Sequence, residues 1–180
     1  MRKFEIITKY KDQLDETFIP RRATKESAGY DFKAAEDIVI PSHIYNLMEL
    51  MQNVSGQPKT LDEMKYFLKD NKLIKPTLVP TGIKAYMKHD EYLGLKSRSS
   101  IPLNSLLIVA NGEGVIDADY VNADNEGHIH VMFYNLSPFP IKIQKGEKIA
   151  QGIYIKYETV DNDKPIKEDR TGGFGSTNYK

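Results

Sequence analysis

The sequence predicts an all-β domain, a sandwich or barrel, interrupted by one inserted helical hairpin. Three observations carry this. Short runs rich in β-branched and aromatic residues recur through most of the 180 residues, separated by Gly, Pro, Asn and Asp, as in sandwiches and barrels rather than βαβ units. One stretch alone, residues 42–71, has its apolar residues at helical period. With 40% hydrophobic residues the chain can bury a single core, and no repeat or low-complexity tract divides it.

Strands are expected at 4–8, 37–40, 78–87, 92–96, 106–109, 128–135, 140–143 and 149–157. After the second of these, Ile44, Leu47, Met48 and Met51 fall at i, i+3, i+4 and i+7 behind Ser42, a residue suited to capping a helix. Thr60-Leu61-Asp62-Glu63 then matches a capping box, with Leu61, Met64, Phe67 and Leu68 on one face and residues 54–58 as the break between the two helices. This pair reads either as a cap packed on the β core or as a docking surface for a protein partner. From Glu158 the chain turns polar and ends in a glycine-rich segment around Phe174, a flexible arm with one aromatic able to stack. The division is therefore a β domain over 1–157, an insertion over 42–75, and an arm over 158–180.

Lys+Arg and Asp+Glu balance at 25 each, so nothing suggests a sequence-independent grip on nucleic acid or on an anionic membrane. Cysteine is absent, which excludes disulfides, thiolate zinc sites and a cysteine nucleophile. The N-terminus lacks an apolar signal core, and the longest purely apolar run, 106–110, is too short to span a bilayer. The expectation is a soluble cytoplasmic protein, in the host cytoplasm if viral.

Five stretches carry chemistry-bearing residues. NGEGVIDADY (111–120) reads as a β-hairpin mouth in which Asn111, Gly112 and Gly114 supply the tight backbone and two carboxylates and a phenol follow. SRSS (97–100) sets Arg98 and hydroxyls at a strand end, suited to phosphate oxygens but also the make-up of an ordinary polar turn. GEKIAQ (146–151) is a turn entering a strand, with an amide at Gln151. In AGYDF (28–32), Asp31 reads on its own as a turn residue, and RTGGFGST (170–177) reads as a tail.

As an ordered set, together with LVPTGI (78–83), these stretches resemble the five motifs of the trimeric deoxyuridine triphosphatase (dUTPase) family, from about Ser27 to Thr177. The resemblance implies a dUTPase-like jelly roll (β-clip), a homotrimer whose sites are each assembled from three subunits, and hydrolysis of dUTP to dUMP and pyrophosphate with Mg²⁺ on the triphosphate. Carried over by position, Asp117 is the base that activates water, Asn111 and the backbone at Gly114 read uracil, and Tyr120 packs under the deoxyribose. Arg98, Ser99, Ser100 and Gln151 hold phosphate oxygens, and Asp31 touches the metal through water. In the arm, Phe174 stacks on the base while Arg170, Ser176 and Thr177 close on the terminal phosphates.

Four departures from the family pattern stand out: the helical insertion, the delay of Gly127 after Tyr120 by residues 121–126, the short spacing from Arg170 to Phe174, and Asn178 in place of a glycine. Competing readings are weaker. A calcium loop starting at Asp117 has Val121 at its fifth position, and one starting at Asn122 ends on Phe133. His128 and His130 lack a third ligand and read as structural. The related dCTP deaminase would carry an arginine shortly after SRSS, where this chain has IPLNSLL. A regulatory protein acting through a partner at 42–71 is the alternative from a different class.

Overall fold

The computed structural model describes residues 1–53, 60–63, 75–165 and 172. Within them the strands are β1 (Lys3–Ile6), β2 (Arg21–Arg22), β3 (Tyr30–Lys33), β4 (Ile38–Ile40), β5 (Thr77–Pro80), β6 (Ile83–Tyr86), β7 (Glu91–Ser97), β8 (Leu107–Val109), β9 (Gly114–Asp117), β10 (His130–Asn135), β11 (Ile141–Ile143) and β12 (Lys148–Lys156). Helix α1 spans His43–Asn53 and α2 Ser100–Ser105. Every pairing is antiparallel. A five-stranded sheet runs β2-β3-β12-β7-β9 and a three-stranded one β5-β10-β8, with ribbons β1-β6 and β4-β11 beside them.

Alternation decides which side chains enter the core. Along β10, Val131, Phe133 and Asn135 are buried while His130, Met132 and Tyr134 are half-buried. Val131 and Phe133 join Phe32, Leu93, Leu95 and Ile149 of the five-stranded sheet and Val79 and Leu107 of the three-stranded one in a single apolar cluster. Truncating the fully buried Phe133 to Ala would cost ~3–5 kcal/mol.

Four expectations about local structure are corrected. The run 78–87 is two strands, because the chain turns at Gly82 (φ +70°) against Tyr10 and Leu14, sending β5 to β10 and β6 to β1. AGYDF holds no turn at Asp31: residues 30–33 form β3, clamped between β2 and β12. NGEGVIDADY is no hairpin either, since β8 pairs with β10 and β9 with β7, so residues 110–113 carry the chain from one sheet to the other. Ser100, read as part of a polar turn, opens α2, which closes with Leu106 at φ 53°.

The insertion begins as expected. Ser42 Oγ accepts the Tyr45 amide at 3.0 Å. Thr60 and Glu63 bond reciprocally, each side chain taking the other's amide at 3.2 Å, and residues 61–63 are helical. The remainder of the second helix lies outside the described residues. On α1, Ile44, Leu47, Met48 and Met51 are 37–56% exposed, so the apolar stripe is not sealed onto the β core. A polar clasp holds the helix instead: buried His43 accepts the Asn135 amide at Nδ1 (3.0 Å) and donates from Nε2 to the Lys75 carbonyl (2.8 Å), tying both ends of the insertion to β10.

Candidate active site

A row of polar side chains crosses the five-stranded sheet. Arg21 lies opposite Asp31, Asp31 opposite Gln151, and Gln151 opposite Lys96, so strand alternation keeps all four on one face. At the end of β7, Arg98 Nε donates to Asp31 Oδ1 at 3.1 Å and Arg98 Nη1 to the Lys148 carbonyl at 3.4 Å. Lys148 Nζ sits 2.8 Å from Asp31 Oδ2, an ion contact only, since that oxygen makes no hydrogen bond. Gln151 Nε2 donates to the Ser97 carbonyl at 3.3 Å, while its Oε1 would lie 2.5 Å from a Cβ at position 29, so a side chain there would displace the Gln151 amide. The stretches 28–32, 97–100 and 146–151 thus converge. Ser99 and Ser100 follow Arg98 directly into α2. Beside Asp31, a concavity of about 310 Å³ is lined by Arg21, Arg22, Lys33 and Lys148, a setting for polyanions. Lys148 and Arg21 carry no assignment from sequence, because only the register of β12 and β2 against β3 brings them to Asp31.

A second centre lies between the two sheets. A pocket of about 340 Å³ is lined by Leu95, Asn111, Glu113, Gly114 and Tyr120 together with Val109, His130 and Met132 of the three-stranded sheet. Residues 121–127, whose role the sequence leaves open, anchor its floor. Tyr120, 4% exposed, donates from its hydroxyl to the His128 carbonyl (3.2 Å) and accepts from Asn125 Nδ2 (2.9 Å), and Asn125 Oδ1 takes the Gly127 amide (3.1 Å). Gly127 at φ +71° is packed so closely that a Cβ would lie 2.7 Å from Val121 Cα and 2.8 Å from the Tyr120 carbonyl. Glu126 reaches Thr8 and Lys84 and fastens the loop to the N-terminal segment.

His128 and His130 are structural. Their rings lie 3.9 Å apart, and His128 Nε2 accepts the Gly82 amide at 3.0 Å, which leaves the proton on Nδ1. Burial, then His130 and Lys9, push His128 down to about 3, and burial likewise lowers His130. No cluster of three or more His, Asp or Glu able to hold a metal occurs among the described residues.

Asp117 ends β9, half-buried, opposite Tyr92 at the start of β7. Arg98 follows the far end of that strand, so at ~3.3 Å per residue the two lie ~20 Å apart along it. One chain therefore does not bring Asp117 together with Arg98, Gln151 and Asp31. Arg170, Phe174, Ser176 and Thr177 lie outside the described residues.

Known proteins share both the sequence and the architecture. The dUTPase family model matches residues 68–178. The deoxyuridine 5'-triphosphate nucleotidohydrolase of Lactococcus lactis subsp. lactis (strain IL1403) is 40% identical over 179 residues, covering 98% of this chain and 97% of that protein, so the alignment spans the insertion. The crystal structure of dUTPase from Streptococcus mutans superposes with a TM-score of 0.67 at 34% identity, covering 89% of this chain and 99% of that one. A point mutant of the dUTPase of phage phi11 of S. aureus, in which a structural Mg(II) ion is coordinated, shares the fold at 17% identity, with a TM-score of 0.58 over 93% of this chain and 97% of that one. With its ordered motifs, its mostly β architecture and relatives aligned over nearly its whole length, the chain belongs to the dUTPase family.

Proposed function

We propose that the two centres are halves of one site, completed between copies of the chain, for the family's reaction. That reaction is the hydrolysis of dUTP to dUMP and pyrophosphate, and the chain is a dUTP diphosphatase. The observation that carries the proposal is the pocket of about 340 Å³ walled by Asn111, Gly114 and Tyr120, at the small end of the ~300–1,000 Å³ range of ligand sites and too distant from Arg98 for one chain to hold base and phosphates together.

In this reading Asn111 and the backbone at Gly114 hydrogen-bond the uracil edge, and Tyr120, held rigid through its hydroxyl, packs under the deoxyribose and excludes a 2′-hydroxyl. Asp117 takes a proton from the water that attacks the α-phosphorus, a role worth ~10²–10⁴-fold. Arg98, Ser99, Ser100 and Gln151 of a neighbouring copy stabilise charge on the phosphate oxygens. Arg170, Ser176 and Thr177 of the arm close on the terminal phosphates, with Phe174 over the base, excluding bulk water. Asp31 suits Mg²⁺ held through water: its Oδ2 makes no hydrogen bond among the described residues, and the Lys148 ammonium 2.8 Å away would give up that ion contact to the hydrated metal. When bound, the metal neutralises charge on the triphosphate.

A homotrimer is the assembly proposed, acting in the cytoplasm. Met132 lies opposite Leu78 and Tyr134 opposite Ile108, giving the three-stranded sheet a half-exposed apolar face. The solvent-facing stripe of α1 supports, as a secondary proposal, a docking role for 42–71. The relatives named above are dUTPases, not deaminases. Pyrophosphate release from dUTP, dCTP, dTTP and UTP, with and without Mg²⁺, tests the reading: turnover confined to dUTP and dependent on Mg²⁺ is expected, and equal turnover of UTP would overturn the assigned sugar gate.

A further inference from the structure

The turn that reads the base is held by little of its own. Residues 110–113 leave one sheet and enter another, so no ladder joins β8 to β9. Inside the turn, the Gly112 amide bonds the Val109 carbonyl (3.0 Å) and the Glu113 amide the Asn111 carbonyl (2.7 Å). Gly112, at φ +69°, has nothing among the described residues within 4 Å of where a Cβ would stand.

Glu113 supplies the missing tether. One step past the last ladder pair, Leu95 with Gly114, Glu113 comes opposite Lys96, whose Nζ lies 2.6 Å from Oε2. The other oxygen, Oε1, is buried without a hydrogen-bond partner among the described residues. It occupies the space above Gly94, where any Cβ would overlap it. The missing side chain at Gly94 is therefore a seat, two residues along β7 on the same face as Lys96. Gly94 has no positive φ, so backbone conformation does not demand glycine there.

We propose that Glu113, seated over Gly94 and held by Lys96, is a positioning residue that fixes Asn111 and Gly114 for base recognition. This rests on the assignment of Asn111 and Gly114 to the base. Losing the tether loosens the turn before substrate binds, so binding carries an extra ordering cost and the effect falls on KM rather than on kcat.

The test is steady-state dUTP hydrolysis by Glu113→Ala, Glu113→Gln, Gly94→Ala and the Gly94→Ala/Glu113→Ala double variant, with Asn111→Ala as control. Glu113→Ala and Gly94→Ala should each raise KM roughly fivefold, on the scale of a partly exposed ion pair plus ordering. Glu113→Gln, which retains the contact to Lys96, should recover part of the loss. In the double variant Gly94→Ala should add little, because the carboxylate it displaces is gone and only the flexible Ile155 Cδ1, 3.1 Å from that Cβ, has to give. A Gly94→Ala effect equal in both backgrounds, or an unchanged KM in Glu113→Ala, overturns the proposal. If Asn111→Ala also leaves KM unchanged, the base-site assignment fails instead.

Discussion

At the scale of single residues, Asp117 and His128 show how position decides chemistry. Asp117 and Asp119 stand two apart in one motif, yet Asp117 closes β9 while Asp119 enters the single helical turn over Ala118–Asn122. Asp117→Asn keeps the shape of the side chain but not its basicity. It should lower kcat by ~10²-fold or more with dUTP still bound, as measured by single-turnover kinetics alongside binding of a non-hydrolysable analogue. His128 must be neutral, because its Nε2 accepts the Gly82 amide. The unfolded ring titrates near 6.5 and the folded one at about 3, so the unfolded chain binds the extra proton first. Stability is then full above pH ~6.5 and falls as pH drops toward 3, by at most ~1.4 kcal/mol per pH unit. His130 adds with the same sign, while Lys9 also disfavours the charged ring and Glu126 favours it. Urea unfolding between pH 7 and 5, above the carboxylate range, should show this slope in the wild type and a shallower one in His128→Gln.

At the scale of elements, the 121–127 loop, one of the four departures from the family pattern, is held by hydrogen bonds of its own around Tyr120 and Asn125. Asn125 does two jobs, bonding the Tyr120 hydroxyl and capping the turn at Gly127. Gly127→Ala sets a methyl against backbone atoms at 2.7 and 2.8 Å in a left-handed conformation. The cost should be ~1–3 kcal/mol, or several degrees in Tm by thermal unfolding, and the shift of Tyr120 should raise turnover of UTP relative to dUTP. The insertion follows different logic: its N-cap and capping box are local and legible in the sequence, whereas its attachment runs through His43 to Asn135, a contact no local pattern announces.

At the scale of the whole molecule, the ~20 Å along β7 between Asp117 and Arg98 makes a sharp prediction about assembly. If each site takes its base from one copy and its phosphate grip from another, mixing Asp117→Asn with Arg98→Ala chains, each inactive alone, should restore up to roughly a quarter of the sites in randomly mixed trimers. Pyrophosphate release after co-refolding reads this directly. Sites contained within single chains would give no recovery.

Local chemistry was enough to read most of the strands and the caps of the insertion, because turn residues, periodicity and side-chain type are properties of neighbours in sequence. The identity of the ordered motifs was legible for the same reason. Only the tertiary structure decided that Asp31 sits in a strand beside Arg98 and Lys148, that residues 110–113 bridge two sheets, and that Glu113 rests over Gly94. These depend on register between strands far apart in the chain, and a one-residue slip in pairing, invisible in either strand alone, would turn each of these side chains to the opposite face.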